Sequence, residues 1–409
     1  MSTLSVTTIN TANGTTDLTV TSGNTVGGKV IVSSGGGVFL QGNSGANAIV
    51  IATNNAVTFS NTVNITGATT FSNTTTHTGA ATFSNTVNIT GDTTVAGNFS
   101  MASSFKRNHL INGNMLFAQR GTSGALQNNS SIYPSIDRFV AYYSAAGGAG
   151  TFSQVASGLT GFQYAAKLQR TSGNTVTSSY AFGQACETLN SVDLQGKSIT
   201  LSFYAKAGAN LTQPININIY TGTGTDQSFS NMTGGAWTGE STIVSTSTSI
   251  TTGWVLYAYT GAVSSTATQI GFQVSWNASG TAGADESLYV TGMQLEIGTK
   301  ATPYEMQIYS DQLAECQRYY YKTSMNQPVI IGFANATGYA STTVSFPVTM
   351  RTTPTTTIYG TWIVTNCSQP LINSPAPSGV MMYVSASGTG NLNCYPTVPS
   401  SYIDASAEL

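Results

Sequence analysis

Apolar and polar residues alternate with a period of two along much of the second half of this chain. Because successive side chains of a β-strand point to opposite faces, this alternation predicts strands with one apolar face. The clearest cases are SITLSFYAK, PININIY and GFQVSW, which are separated by turns rich in Gly, Ser and Thr. The predicted inward residues are Ile199, Leu201, Phe203, Ile215, Ile217, Ile219, Phe272, Val274 and Trp276. Residues 105 to 306 are therefore predicted to form an antiparallel sandwich or jelly roll.

A helical period follows in the segment YSDQLAECQRYYYK. Ser310 is a good N-cap residue, and Asp311 suits the first turn of a helix. One stripe of this helix would contain Leu313, Cys316, Gln317 and Tyr320. Residues 307 to 322 are therefore predicted to be a connecting helix between two β regions.

Alternation returns after the helix, in VIIGF, TTVSFPVTM, TTTIYGTWIV and GVMMYVSA. Five prolines between residues 347 and 377 limit the length of the strands, because proline cannot donate a ladder hydrogen bond. Residues 323 to 409 are predicted to form a small β domain, and the whole chain is predicted to be all-β.

The first hundred residues contain a twelve-residue repeat, FSNTVNITGATT, FSNTTTHTGAAT and FSNTVNITGDTT, from Phe59 to Thr94. Each unit is a short alternating strand that ends at a glycine, and one copy cannot bury its apolar face. Three copies around an axis could, so residues 57 to 104 are predicted to form the stalk of an elongated homotrimeric fibre. The alternative is disorder of a segment rich in Ser, Thr and Asn. Residues 1 to 56 are predicted to dock this stalk to a larger body.

Charged residues make up only 7% of the chain and lie mostly between Lys106 and Lys322. Basic and acidic residues balance there, so no positive field exists to attract phosphates and we expect no nucleic-acid partner. No run of eighteen apolar residues occurs, so we expect no membrane insertion. The N-terminus lacks the basic start and apolar core of a signal peptide.

The four cysteines, Cys186, Cys316, Cys367 and Cys394, have no metal-ligand spacing with one another or with either histidine. We expect free, buried thiols, because cytoplasmic assembly is reducing. The alternative is a disulfide between Cys367 and Cys394 within the last β domain.

The middle of the chain resembles a known family. NHLINGNMLFAQRGTS, YPSIDRF and SFYAKAG are followed by YVTGMQLEIGTKATPYEMQIYSDQLAECQRYYYK. This order of segments is similar to the carbohydrate-binding-like β-sandwich of bacteriophage tail fibre and receptor-binding proteins. The resemblance covers about half of the chain and is most specific from residue 292 to residue 321.

The resemblance implies a jelly-roll fold, a trimer, and adhesion to a bacterial surface. The family motif residues are interpreted as internal anchors that fix the sandwich: Asn112, Gly113, Arg120, Asp137, Arg138, Gln294 and Glu296. Related jelly rolls often hold structural calcium with an Asp in the final strand, where this chain has Thr291. No metal or other cofactor is expected, although oxygens of Asn112, Asn114 and Glu296 leave a calcium site open as an alternative.

Contact with a sugar requires aromatic faces and short polar groups. Trp237 lies in the Gly-rich loop TGGAWTGE, where a large ring is hard to explain as core, whereas Trp254 and Trp276 alternate with polar residues and are predicted to be core. The candidate receptor contacts are Trp237, Tyr339, Trp362, Tyr395 and Tyr402. The last domain is the first choice for this contact, and the jelly roll is the second.

The residues offer little for catalysis. Neither His77, inside the repeat, nor His109, at the entrance to the jelly roll, is placed as the base of a triad. The acidic residues that could cleave a glycan as a pair are Asp193, Asp226, Glu240, Asp285 and Glu286. We interpret them as solvated loop charges, so we do not expect an enzyme.

The sequence thus predicts a phage tail fibre, located in the virion tail, which reaches the cell exterior by lysis. Its expected partners are two further copies of itself, a tail or baseplate protein at the N-terminus, and a bacterial surface glycan or other receptor. One alternative is a tail spike depolymerase that cleaves surface polysaccharide. The other is a baseplate or connector fibre whose last domain holds another fibre protein.

Overall fold

The computed structural model describes residues 106–129, 132–323, 328–335, 337–397 and 400–409, and residues 75–78, 80–82 and 87 of the repeat segment. Its contacts divide the chain into two compact units, Met1–Thr94 and Val95–Leu409. The predicted docking segment and nearly all of the predicted stalk lie outside the described residues. The few described residues of the repeat are exposed and belong to no helix or strand.

Eleven antiparallel strands of the second unit form two sheets. The six-stranded sheet has the order β1-β3-β4-β11-β6-β9 and contains β1 (Ser123–Ala125), β3 (Gly150–Ala156), β4 (Tyr164–Arg170), β6 (Ser198–Ala207), β9 (Val255–Ala262) and β11 (Ser287–Ile297). The five-stranded sheet has the order β2-β5-β10-β7-β8 and contains β2 (Val140–Tyr143), β5 (Ser179–Ala185), β7 (Ile215–Gly222), β8 (Ser241–Thr248) and β10 (Gln269–Asn277). The predicted β-sandwich is confirmed.

The core of the sandwich lies between these sheets. All nine residues predicted to point inward are fully buried, because the alternation of the three strands matches the pleat. Aromatic side chains fill much of the space, and Trp276 stacks on Tyr180 with ring centroids 5.3 Å apart. Such packing supplies most of the free energy that favours folding, since burial of one large side chain contributes about 1.5–3 kcal/mol.

The outer face of the five-stranded sheet is covered by a short helix, α1 (Phe229–Thr233), and the loop after it. Phe229, Met232 and Trp237 pack there as a second small core, together with Leu409. Ser228 caps α1 by accepting a hydrogen bond from the Asn231 amide. This sheet is therefore buried on both faces.

The predicted connecting helix is α2 (Tyr309–Gln317). Its N-cap is Ile308, which is extended and makes no side-chain cap, so the prediction that Ser310 caps the helix is wrong. Cys316 is buried with Ile111 and Phe117, which places α2 against the start of the sandwich. Tyr320, predicted to share the helical stripe, belongs instead to the next strand.

Nine short strands follow, arranged in three sheets of three. They are β12 (Tyr320–Lys322), β13 (Ile330–Ala334), β14 (Tyr339–Ser345), β15 (Thr355–Tyr359), β16 (Trp362–Thr365), β17 (Leu371–Ala376), β18 (Gly379–Ser385), β19 (Gly390–Pro396) and β20 (Tyr402–Ser406). The orders are β12-β20-β15, β13-β19-β16 and β14-β18-β17. β15 lies beside β17 and β13 beside β14, so the three sheets surround one apolar core. We call these strands the terminal sheets.

All four cysteines are free and buried, which confirms the expectation of unpaired thiols; the described structure has no disulfide between Cys367 and Cys394. Burial raises the pKa of the Cys186 thiol to about 12. Neither helix of the described residues has the length and apolarity needed to cross a bilayer.

A buried ionic cluster joins the terminal sheets to the sandwich. The carboxylate of Glu408 accepts hydrogen bonds from Arg120, at 3.1 Å, and from Arg138. Both guanidinium groups also lie over tyrosine rings at the start of the terminal sheets. Arg120 is 3.6 Å from the centroid of Tyr320, the first residue of β12, and Arg138 is 3.6 Å from that of Tyr319, just before it. The cluster therefore neutralises and packs both arginines at the junction.

Replacing Glu408 tests this junction. In Glu408→Gln the two arginines lose their shared carboxylate while remaining buried, so the free energy of unfolding should fall by about 3–5 kcal/mol. Urea denaturation of the full chain measures it. The matched control is Asp311→Asn, an exposed acid in the first turn of α2, which should cost about 1 kcal/mol or less. Equal small losses in both variants would contradict the role of the cluster.

Candidate functional site

A row of aromatic and basic side chains crosses the outer face of the six-stranded sheet. Lys167 of β4 lies opposite Tyr289 of β11, which in turn lies opposite Lys206 of β6. Trp254, immediately before β9, extends the row, with its ring 5.1 Å from the Lys206 ammonium. Strands are spaced by about 4.8 Å, so the row spans roughly 14 Å. We call these four residues the aromatic row.

The pleat of the sheet places the aromatic row on the outer face. Leu168, Leu288 and Ala205 belong to the core of the sandwich, so the residues next to them in sequence point the other way. All four members of the row are partly exposed. The outer face of the six-stranded sheet thus presents aromatic rings to solvent. The outer face of the five-stranded sheet, by contrast, is covered by α1 and Trp237.

The two lysines of the row have different environments. Lys167 is 3.1 Å from the carboxylate of Asp285, whereas Lys206 lies over two rings, 4.9 Å from Tyr289 and 5.1 Å from Trp254. Partial burial would raise the pKa of Asp285, but hydrogen bonds from Ser287 and Lys167 outweigh it and the pKa is lowered. Asp285 therefore stays ionised and neutralises Lys167.

A groove of ≈ 290 Å³ lies beside the row. Its walls are Ser202, Tyr204, Leu256, Gly292, Ala301, Thr302, Pro303 and Tyr304. Gly292 sits at a bulge of β11 with φ +63°, and a side chain there would meet the ring of Phe162 at 2.8 Å. Phe162 in turn packs on Tyr204 and Tyr304, with centroids 5.5 and 5.3 Å away. The glycine therefore lets these rings assemble at the edge of the groove.

This surface combines flat aromatic rings with hydroxyl, ammonium and carboxylate groups. A ligand with an apolar face and several hydroxyl groups could stack on Trp254 or Tyr289 and form hydrogen bonds with its neighbours. The described part of the chain holds no metal ligand cluster of three His, Cys, Asp or Glu side chains. The chemistry available here is binding by contact.

The structure corrects the sequence-based placement of Trp237 and Trp254. Trp237 is only 3% exposed, and its indole Nε1 donates a hydrogen bond to the Ser228 carbonyl. The Gly-rich loop folds back onto the five-stranded sheet, where Gly271 leaves room for the ring. Trp254, predicted to be core, is instead partly exposed in the aromatic row. It immediately precedes the edge strand β9 and lies on the outer face of the sheet.

The other predicted receptor contacts are spread over the terminal sheets. Trp362 is 2% exposed and belongs to their core, so it presents no face to a ligand. Tyr339 is 73% and Tyr395 42% exposed. Tyr402 stacks on Tyr359, with centroids 4.6 Å apart. The three tyrosines belong to β14, β19 and β20, which are in three different sheets.

Asn112 and Gly113 hold a turn at the start of the sandwich. The Asn112 side chain accepts a hydrogen bond from the Phe117 amide and donates to the Phe117 and Asp137 carbonyls. A Cβ atom at Gly113 would lie 2.0 Å from the Met293 carbonyl oxygen, so only glycine fits against β11.

Asp137 stabilises the same region through hydrogen bonds with Gln119. Its carboxylate accepts hydrogen bonds from the backbone and side chain of Gln119 and lies 3.6 Å from Arg120. Burial outweighs these contacts and raises the pKa of Asp137 to about 6. Arg138, next to it, reaches Glu408 and donates to the Ala185 carbonyl.

Gln294 and Glu296 form a second brace on β11. Gln294 donates to Glu296 and accepts from the Glu305 amide, while Glu296 accepts from the amide and hydroxyl of Thr302. Thr291 donates to the Tyr164 carbonyl. Of the three side chains considered for calcium, Asn112 and Glu296 have oxygens that accept hydrogen bonds from protein donors. The Oδ1 atom of Asn114 is buried and has no hydrogen-bond partner among the described residues.

The five acidic residues considered for glycan cleavage each have a partner of another kind. Asp285 contacts Lys167, Glu286 Arg170, Asp226 Arg351, Asp193 His109, and Glu240 the Trp237 amide. These contacts give each of the five acidic residues a structural partner.

Sequence reasoning missed Tyr289 and Lys206 as site residues and placed Trp254 in the core. A usable signal was present, since the alternation that put Leu201 and Phe203 inward also put Lys206 on the opposite face. What the sequence lacked was the strand order, which brings β4, β11, β6 and β9 side by side.

No protein-family model and no curated protein match the chain. Solved structures match part of it at low similarity. A putative sugar binding protein from Bacteroides thetaiotaomicron has 12% identity and a TM-score of 0.29, over 47% of this chain and 100% of that one.

The CBM22-1 xylan-binding domain from Paenibacillus barcinonensis has 10% identity and a TM-score of 0.26, over 43% and 94%. The enzymatically active domain of tailspike protein 4 from bacteriophage CBA120 has 15% identity and a TM-score of 0.27, over 47% of this chain and 21% of that one. These TM-scores are too low to support an argument, so the fold rests on the strand order and the site on its side chains.

Truncating the two tryptophans distinguishes core from surface. Trp237→Ala leaves a cavity under the Gly-rich loop and should lower the free energy of unfolding by about 3–5 kcal/mol. Trp254→Ala removes a partly exposed ring with one hydrogen bond, to the Ser157 carbonyl, and should cost about 1 kcal/mol. Thermal and urea unfolding measure both. Equal costs would contradict the assignment of Trp254 to an open surface.

Proposed function

We propose that this protein is a bacteriophage tail fibre that attaches the virion to the bacterial surface by binding a saccharide. The aromatic row carries this proposal, because it places Trp254 and Tyr289 on an open sheet face beside lysines and the ≈ 290 Å³ groove. Pyranose rings offer C–H faces for stacking and hydroxyl groups for hydrogen bonds. The proposed role is adsorption without covalent chemistry.

The assignment to a tail fibre is supported by the sequence resemblance. The segments shared with phage receptor-binding proteins, from Asn108 through Tyr321, map onto the sandwich, α2 and β12. The structure gives several of these motif residues bracing roles in the sandwich, so their pattern fits a requirement of the fold. The twelve-residue repeat supports a stalk, and the segment before it would dock to a tail or baseplate protein.

We also propose that the fibre is a homotrimer, in which the outer face of the sheet β13-β19-β16 contacts further copies of the chain. Ile331 is 75% and Phe333 69% exposed on this face, and Ile363 and Tyr395 lie there opposite each other. With Val329, which is 42% exposed, these side chains form one apolar patch on the face. Contiguous exposed apolar patches often mark protein–protein interaction sites. A standard interface buries about 800 Å² per partner.

The scarcity of charge on this face favours another copy of the chain as its partner. The terminal sheets have few charged residues, and three of them are turned to other contacts: Arg351 to Asp226, Asp404 to Tyr320 and Glu408 to the ionic cluster. In a three-fold assembly, side chains close to the axis meet the same side chains of the other copies, so an uncharged face there avoids repulsion between like charges.

Three weak saccharide sites on one trimer would act together, because binding of the first site raises the effective concentration of the others at the cell surface. A partly exposed site with one or two stacking rings could therefore serve a fibre, although a single copy would bind weakly.

The alternative of a depolymerase receives no support from the five acidic residues, since each contacts a Lys, Arg or His side chain or a backbone amide. The alternative of a connector fibre would place another fibre protein on the terminal sheets. It predicts that the sandwich face is dispensable for attachment to cells.

Binding to host cells tests the proposed function. A fluorescent fusion of the full chain should bind, and Trp254→Ala should weaken binding by at least tenfold, since about 1.4 kcal/mol of stacking corresponds to that factor. The matched control is Tyr339→Ala, which removes an exposed ring of the terminal sheets and should leave binding unchanged. Loss of binding in Tyr339→Ala alone would move the site to the terminal sheets. Failure of the folded fusion to bind would favour the connector.

Light scattering during size exclusion tests the homotrimer. The double variant Ile331→Ser and Phe333→Ser should dissociate the trimer or lower its association constant by at least a hundredfold. Both substitutions remove apolar surface that the trimer would bury between its copies. Thr343→Ser on β14 is the control. An unchanged trimer in the double variant would exclude this face from the interface.

A further inference from the structure

Lys206 is the one cation of the aromatic row that lacks an acidic partner among the described residues. Its ammonium lies 4.9 Å from the Tyr289 ring and 5.1 Å from the Trp254 ring. No carboxylate of the described residues lies within 4.0 Å of it, the limit for an ion pair. Lys167, on the other side of Tyr289, is neutralised by Asp285 at 3.1 Å. The row therefore carries one unbalanced positive charge, at its centre.

Asp285 is not available to balance Lys206. Its carboxylate accepts hydrogen bonds from the Tyr289 hydroxyl at 3.2 Å, the Ala209 amide at 3.2 Å and the Ser287 hydroxyl, in addition to its contact with Lys167. These four donors saturate the carboxylate, which makes no ion pair with Lys206. No carboxylate of the described residues is left to balance the positive charge of Lys206.

We propose that the saccharide bound by this face carries an anionic group, a carboxylate or a phosphate, which pairs with the ammonium of Lys206. This inference rests on the proposed saccharide-binding function and adds the chemical class of the ligand. The rings of Tyr289 and Trp254 flank the ammonium, so they hold it in place and exclude part of its water. An ion pair formed there is screened less than one between two extended surface side chains.

The geometry also gives each group of the row a role. A sugar ring stacked on Trp254 or Tyr289 would bring an exocyclic substituent over Lys206, because the ammonium lies between the two rings. Neutral sugars could stack in the same way but would leave the ammonium without its partner. The face should therefore prefer acidic saccharides over neutral saccharides with the same backbone.

Matched polysaccharides test this preference on the full chain. The probes are polygalacturonate and its carboxyl-reduced form, and phosphomannan and its dephosphorylated form, each immobilised on a sensor surface. We expect the protein to bind at least one acidic member at least tenfold more tightly than its neutral counterpart, with binding that weakens as salt is raised. The two pairs distinguish a carboxylate from a phosphate.

Two substitutions assign the effect to this lysine. Lys206→Met keeps the aliphatic stem and removes the charge, so it should lose the tenfold preference, whereas Lys206→Arg should retain most of it. Lys197→Met is the matched control, because Lys197 is exposed and immediately precedes the opposite end of β6. It should bind as the wild type does.

The possible failures are distinguishable. Equal binding of acidic and neutral members that is lost in Trp254→Ala would overturn the anionic preference and leave the saccharide-binding face intact. A preference that survives in Lys206→Met would overturn the role of this residue. Failure of the folded protein to bind any acidic or neutral member would count against both the inference and the proposed function.

Discussion

The buried carboxylate of Glu408 connects the two β regions of the described structure. It meets Arg120 and Arg138, which belong to the sandwich, and both arginines lie on tyrosine rings at the start of the terminal sheets. Arg351 adds hydrogen bonds to the Ala407 and Glu408 carbonyls and an ion pair with Asp226. The side chains of Arg138, Glu408 and Arg120 are only 1%, 6% and 14% exposed, so each of these charges is stable only while its partners are present. The junction between the sandwich and the terminal sheets therefore depends on a few paired charges in a chain in which only 7% of the residues are charged.

The sandwich uses its two sheets differently. The five-stranded sheet is covered on its outer face by α1 and Trp237, so it serves the core alone. The outer face of the six-stranded sheet keeps the aromatic row, and a bulge at Gly292 lets Phe162, Tyr204 and Tyr304 assemble beside it. A strand has two faces, and the core requires only one of them. At Lys206 and Tyr289 the other face of β6 and β11 is partly exposed and can carry side chains for binding.

Much of this fold could be predicted from the sequence because the alternating strands have a local signal. The buried residues of β6, β7 and β10 follow from the period of two, and α2 follows from its period near four. The burial of Trp237 and the exposure of Trp254 could not be predicted in this way. Trp237 is buried because its loop folds back over a sheet that is distant in sequence, and Trp254 is exposed because β9 lies at a sheet edge. Both depend on strand order, which no local pattern contains.

The exposure of Trp254 offers the most direct test of the central claim, that the aromatic row binds a saccharide. Trp237, Trp276 and Trp362 are buried, so acrylamide should quench mainly the fluorescence of Trp254. Quenching is measured on the full chain with and without saturating host surface polysaccharide, with Trp254→Phe as the control. We expect the polysaccharide to protect the fluorescence from acrylamide in the wild type and to change nothing in Trp254→Phe. Polysaccharide that binds while Trp254 remains equally open to acrylamide would contradict the central claim.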